Sequence, residues 1–188
     1  MDKLLKINAN PPNNLKSWLS HNDSLTQKLK DQSGNAEIQV LNQDWAQPGW
    51  WDKYLLGLIE PIIQRNILMF SHKKACWFAR TIIPNSSYQQ CSLLFNRLSE
   101  EPLSVILFSD PTIKRILLQN YAINEHSLEY YWLPETVRTL AQHSKLTLDE
   151  TGMNIKEFWV RFSIFTIAEI SNFYLIEILL PGLNDCAN

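Results

Sequence analysis

Apolar residues along this chain fall mostly into short runs, and many alternate with polar neighbours at a period of two. Residues 37–42 alternate around Ile38 and Val40, the pattern of a half-buried strand. Residues 65–72 and 75–83 are two β-rich runs separated by Lys73 and Lys74, which predicts a hairpin, and Pro84 stops its second strand. Residues 103–108 and 113–121 are expected to be extended, and 158–166 and 173–180 supply two closing strands. Helix signals are fewer. Ser24-Leu25-Thr26-Gln27 fits a capping box and predicts a helix over 25–32, ended by Gly34-Asn35. A short helix is expected near 55–58, after an aromatic-rich loop at 43–51. Another is expected over 87–98, where Leu93, Leu94 and Leu98 lie near helical spacing. Pro134-Glu135 opens a further helix over 136–144. About six strands without regular βαβ alternation predict a single α+β domain, a mainly antiparallel sheet with flanking helices.

Composition narrows the function classes. The 188 residues suit one domain, and 45% hydrophobic against 19% charged residues is enough for a real core. Lys plus Arg number 17 and Asp plus Glu 19, so the net charge is −2, which argues against a nucleic-acid partner. Cys76, Cys91 and Cys186 are far apart and odd in number, which reads as free thiols in a reducing compartment. The apolar run after Met1 is too short for a signal peptide. The most apolar region, 158–183, is interrupted by Arg161, Glu169, Asn172 and Glu177, so no membrane span and a cytoplasmic location are expected. His21, His72, His126 and His143 share no spacing. There is no His-Glu-x-x-His, Gly-rich phosphate loop or Gly-x-Ser-x-Gly, and a metal site is not expected.

Charges inside the strands are the most unusual feature. Glu177 shares a strand face with Leu175 and Leu179, while Ile176 and Ile178 occupy the other, so Glu177 should be buried. Arg80 shares a face with Phe78 and Ile82, Arg65 leads into Ile67 and Met69, and Arg161 lies between Trp159 and Ser163. A lone buried charge is costly unless paired or hydrogen-bonded. Two readings follow. The arginines and the glutamate form a pocket for an anionic organic ligand, which the planar guanidinium fork suits. Or they form structural ion pairs, such as Arg80 with Glu177.

The order of several short motifs resembles the chorismate lyase family. These are Trp18-Leu19 and Asp23-Ser24-Leu25-Thr26; Arg65-Asn66-Ile67-Leu68, followed fifteen positions later by Arg80 in Ala79-Arg80-Thr81-Ile82-Ile83-Pro84; Pro102-Leu103 with Leu107-Phe108; Trp159-Val160-Arg161-Phe162-Ser163; and Leu175 to Pro181 around Glu177. Together they cover most of the chain from Trp18 to Pro181. The resemblance implies a six-stranded antiparallel sheet with the ligand beneath helix-turn-helix flaps. It implies elimination of pyruvate from chorismate to give 4-hydroxybenzoate for ubiquinone synthesis, with no cofactor. The expected partners are chorismate and 4-hydroxybenzoate alone, and a monomer is expected. It also implies site roles: Arg65 and the backbone at Leu103 on the carboxylate, Leu25 on a lid, Glu177 at the ring oxygen and Arg80 as a second active-site arginine. From its place inside an apolar strand, Arg161 is expected as a further substrate contact. Two departures stand out. The connection at about 122–156 is longer than the family's usual one and is expected to be a helical insertion. Phe162 stands where the family often has a second arginine, which is expected to remove a positive charge near the pocket. Two other classes remain open, a free-standing binder of small aromatic carboxylates and a structural protein that keeps the fold without the chemistry.

Overall fold

The structure, a computed structural model, describes residues 10–99, 101–143 and 157–186. Its helices are α1 (Asn13–Leu19), α2 (Leu25–Ser33), α3 (Trp50–Leu56), α4 (Asn85–Gln90), α5 (Ser92–Asn96), α6 (Leu103–Ser109) and α7 (Glu135–His143). Its strands are β1 (Glu37–Ala46), β2 (Ile62–Ser71), β3 (Lys74–Pro84), β4 (Ile113–Ile123), β5 (Phe158–Ile167) and β6 (Ser171–Leu179). The strands form one six-stranded sheet in the order β1-β2-β3-β6-β5-β4, with every neighbouring pair antiparallel. This is the expected α+β sheet with flanking helices. Among the described residues, no helix is long and apolar enough to cross a membrane.

The strands alternate, so each contributes to two cores. On one face Met69, Trp77, Ala79, Trp159, Leu175 and Leu179 pack under Trp18, Leu19, Leu25 and Leu29 of α1 and α2, and under Leu103, Ile106 and Leu107 of α6. On the other, Phe78, Ile82, Val160, Phe162, Ile176 and Ile178 pack against Trp51 of α3, Val137 of α7, and Tyr130 and the C-cap Leu133 of the 3₁₀ turn before it. Burial of both faces explains why β3 and β5 read as nearly continuous apolar runs. The β2–β3 hairpin turns at His72 and Lys73, both in the left-handed region (φ 48° and 66°), which matches the strand twist.

Several expectations needed correction. Residues 103–108 are helical, not extended. Val105 and Ile106 favour a strand locally, but Leu103, Ile106 and Leu107 have helical spacing and are buried together, so packing decides. The helix expected at 87–98 is broken at Cys91 into α4 and α5, followed by a 3₁₀ turn over Arg97–Ser99. The short helix expected at 55–58 starts earlier, at Trp50, with Asp52 accepting from the Gly49 N–H (2.8 Å) at its N-terminus. β1 continues four residues beyond 42 to Ala46, and α1 lies where no helix was expected. Helix α7 lies within the expected 122–156 insertion, whose residues 144–156 fall outside the described residues.

Candidate functional site

A pocket of about 540 Å³, its mouth to solvent included, opens on the face covered by α2 and α6. Its floor is built from alternate residues of the central strands: Arg65, Ile67 and Met69 of β2, Trp77, Ala79 and Thr81 of β3, Leu175 and Glu177 of β6, and Arg161 of β5. Asp23, Ser24, Leu25 and Thr26 cover one side, Leu103, Ser104, Leu107 and Phe108 another, and Arg115 of β4 enters from the far edge. Ser24 caps α2 by accepting from the Gln27 N–H (3.1 Å), which fixes the helix start and with it Leu25 above the floor. Apolar side chains share the lining with hydroxyls of Ser24, Thr26, Thr81 and Ser104 and with the charged Asp23, Arg65, Arg115, Arg161 and Glu177, so apolar contact and convergent polar groups meet in one concave site.

Strand register brings the charges together. Arg161 is paired directly opposite Glu177 across the β5–β6 ladder, and Arg161 Nη1 lies 3.1 Å from Glu177 Oε2. Arg161 is fully buried and its Nη2 donates to the His21 carbonyl at 2.6 Å. Arg115 Nη1 donates to the neighbouring Asn22 carbonyl, also at 2.6 Å. Two arginines from the sheet thus hold the turn between α1 and α2. Arg65 differs. It is 5% exposed, and among the described residues its guanidinium has neither an ion pair nor a hydrogen bond, its Nε being buried without a partner. Burial lowers the pKa values of Arg65 and of Arg115, and for Arg115 the neighbouring Arg161 adds to the effect. Burial and nearby cations, Lys28 and Arg161, likewise push His21 down. The pocket is a desolvated site with excess positive charge, suited to an anion. Among the described residues, no group of three or more His, Cys, Asp or Glu is arranged to hold a metal ion.

Of the residues singled out in the sequence, Leu25, Arg65, Leu103, Arg161 and Glu177 line this one pocket. Arg80 does not, which corrects the expectation of a second active-site arginine. Its neighbours Ala79 and Thr81 face the pocket, so strand alternation turns Arg80 to the opposite face. There its Nη2 binds both Asp52 oxygens (3.0 and 2.8 Å), and its guanidinium lies 4.4 Å from the Trp132 ring centre. The ion pair imagined between Arg80 and Glu177 is therefore replaced by two separate pairs, Arg80–Asp52 and Arg161–Glu177. Phe162 also lies on that opposite face, edge-on to Trp51 and stacked on Tyr174, so an arginine there would not have faced the pocket. Sequence reasoning missed Arg115 and Asp23. Lys114-Arg115 at the start of a strand looks like solvated charge, but Arg115 shares the face of buried Ile113, and a register irregularity between Arg115 and Leu117 reverses the alternation along the rest of β4.

A model of the chorismate lyase family matches residues 6–170. A probable chorismate pyruvate-lyase from Azoarcus sp. (strain BH72) is 28% identical, over 94% of this chain and 93% of the relative. One from Aromatoleum aromaticum is 30% identical over 64% of this chain and 66% of the relative. Among solved structures, the effector domain of PhnF from Mycobacterium smegmatis superposes with a TM-score of 0.53 at 12% identity, covering 85% of this chain and 89% of that one. A GntR-family transcriptional regulator from Bacillus cereus gives 0.52 at 10% identity, covering 78% and 92%. At these identities the structural likeness speaks for the fold alone. The family match spans most of the sequence, including α1 through β5, and the alignment with the Azoarcus relative runs nearly end to end: the chain belongs to the chorismate lyase family, a family of lyases.

Proposed function

We propose that this protein is a chorismate–pyruvate lyase that converts chorismate into 4-hydroxybenzoate and pyruvate, the first step towards ubiquinone, as a cytoplasmic monomer. The observation that supports this most is Arg65, a buried guanidinium in the pocket with no protein anion beside it among the described residues. A buried cation without a counter-charge is costly, and a ligand carboxylate removes that cost while gaining a two-pronged hydrogen bond.

In this reading Arg65 and the backbone at Leu103 take the ring carboxylate, and Leu25 closes over the ring. Glu177, held opposite Arg161, orients the ring oxygen or acts as a general acid, with Arg161 balancing its charge. The chemistry breaks the bond between a ring carbon and the ether oxygen, and the adjacent ring carbon loses a proton. The departing enolpyruvate takes up a proton and becomes pyruvate, so the atoms of chorismate are fully shared between the two products. Aromatisation drives the step, which leaves the protein to position a dianion and exclude competing geometries. The whole of 1–188 acts as one domain, with the 122–156 connection as its insertion.

The test is to incubate purified protein with chorismate and follow both products by chromatography against a protein-free control. Equal, catalytic amounts of 4-hydroxybenzoate and pyruvate are expected. Glu177→Gln should lower kcat by roughly 10²–10⁴-fold, the usual contribution of a positioned acid. If the wild-type protein forms neither product but still binds 4-hydroxybenzoate, it is a binder and not a lyase.

A further inference from the structure

We infer that Arg115 is the residue that binds the second carboxylate of the substrate, the one on the enolpyruvyl side chain. The inference rests on the lyase reading above and deepens it. Chorismate carries two carboxylates, and the pocket offers three guanidinium groups, on Arg65, Arg115 and Arg161. Arg65 takes the ring carboxylate in that reading.

Arg161 is a poor choice for the second carboxylate. It is fully buried, one terminal nitrogen faces Glu177 at 3.1 Å, and the other donates to the His21 carbonyl. Binding a second anion there would break a contact already made. Arg115 has room. Its one hydrogen bond among the described residues is from Nη1 to the Asn22 carbonyl, and Glu177 and Asp23 act on it only as nearby charges that oppose the lowering of its pKa by burial and Arg161. Its Nε is buried without a partner. The guanidinium is also pinned in orientation, 4.9 Å from the Phe165 ring centre, so little side-chain entropy remains to be lost on binding.

Placement agrees with this assignment. In the order β1-β2-β3-β6-β5-β4, Arg65 and Arg115 enter the same pocket from β2 and β4, with Glu177 on β6 and Arg161 on β5 between them. One carboxylate at each end leaves the ring oxygens over Glu177. The assignment also separates substrate from product. 4-Hydroxybenzoate has a single carboxylate and would not need Arg115, so release of pyruvate removes one of the two ionic holds on the ligand.

The experiment compares chorismate turnover with 4-hydroxybenzoate binding in Arg115→Gln and Arg115→Lys. Arg115→Gln should lower kcat/KM for chorismate by at least about tenfold, the value of one lost charge-assisted bond. Its dissociation constant for 4-hydroxybenzoate, measured by titration, should stay within about twofold of wild type, which also shows that the variant is folded. Arg115→Lys should recover part of the loss. If substrate turnover and product binding fall together, Arg115 acts only by holding the Asn22 turn and the inference is wrong. If neither changes, it is wrong too. Failure of the wild-type protein to turn over chorismate would instead overturn the lyase reading beneath it.

Discussion

Two arginines on opposite faces of the sheet, Arg80 and Arg65, are buried to similar depth and treated in opposite ways. On the face away from the pocket, Arg80 is 7% exposed, and the protein supplies its anion in full: Asp52, itself completely buried, binds Arg80 and at the same time accepts from the Gly49 N–H. Beside it Glu129 accepts from Trp51 Nε1 (2.8 Å) and from the Tyr121 hydroxyl (3.1 Å). Burial, then the Glu129 charge, push the Tyr121 pKa well above its usual value, so the hydroxyl stays a donor. On the pocket face, Arg65 is no more exposed and has no such partner among the described residues. The lesson is that burial of a charge in a strand does not distinguish structure from function. What distinguishes them is whether the fold completes the charge or leaves it for a ligand.

The contrast can be broken most forcefully at Asp52. Asp52→Ala leaves Arg80 buried without its counter-charge and removes the N-terminal cap of α3, so it should destabilise the fold by about 3–5 kcal/mol. Denaturant unfolding measures this, and an unchanged midpoint would mean that the Arg80–Asp52 pair is not what holds that face. Arg65→Leu should do the reverse. It removes an unpaired buried cation, so the midpoint should hold or rise, while 4-hydroxybenzoate binding weakens by about 2–5 kcal/mol. A large loss of stability in Arg65→Leu would erase the distinction between the faces. The smallest effect concerns His21, whose carbonyl Arg161 holds. Its pKa is depressed by burial first, then by Lys28 and Arg161, with Asp23 opposing. The unfolded chain therefore takes up this proton at a higher pH than the folded one, and the associated stability is lost as pH falls below about 6.5. His21→Gln should flatten the stability profile slightly between about pH 7 and pH 5, which thermal melts across that range would register.

Some of the site was legible before any coordinates. Glu177 and Arg161 stand out because each interrupts a run that is apolar on both faces, and only a buried strand gives such a run. Their mutual pairing was not legible, because nothing local specifies which residues of β5 and β6 face each other. Arg80 shows the same limit from the other side. It sits in the same kind of run as Arg161, and its partner, Asp52, comes from a short helix nearly thirty positions earlier, between the loop expected at 43–51 and the helix expected at 55–58. Arg115 was not legible because a register shift just after it reverses the alternation of β4, so the burial pattern of the rest of the strand points to the wrong face.

By itself the sequence determined the strands, the hairpin, the α+β class and the presence of charges that a core cannot leave unanswered. Those follow from period-two burial, from turn chemistry and from the cost of desolvating charge, all of which act over a few residues. Only the tertiary structure decided that residues 103–108 form a roof helix, that Arg80 and Phe162 face away from the pocket, and which arginine receives a partner from the protein. Each of these depends on long-range packing and on which sheet face a side chain takes, and a single residue of register reverses that choice.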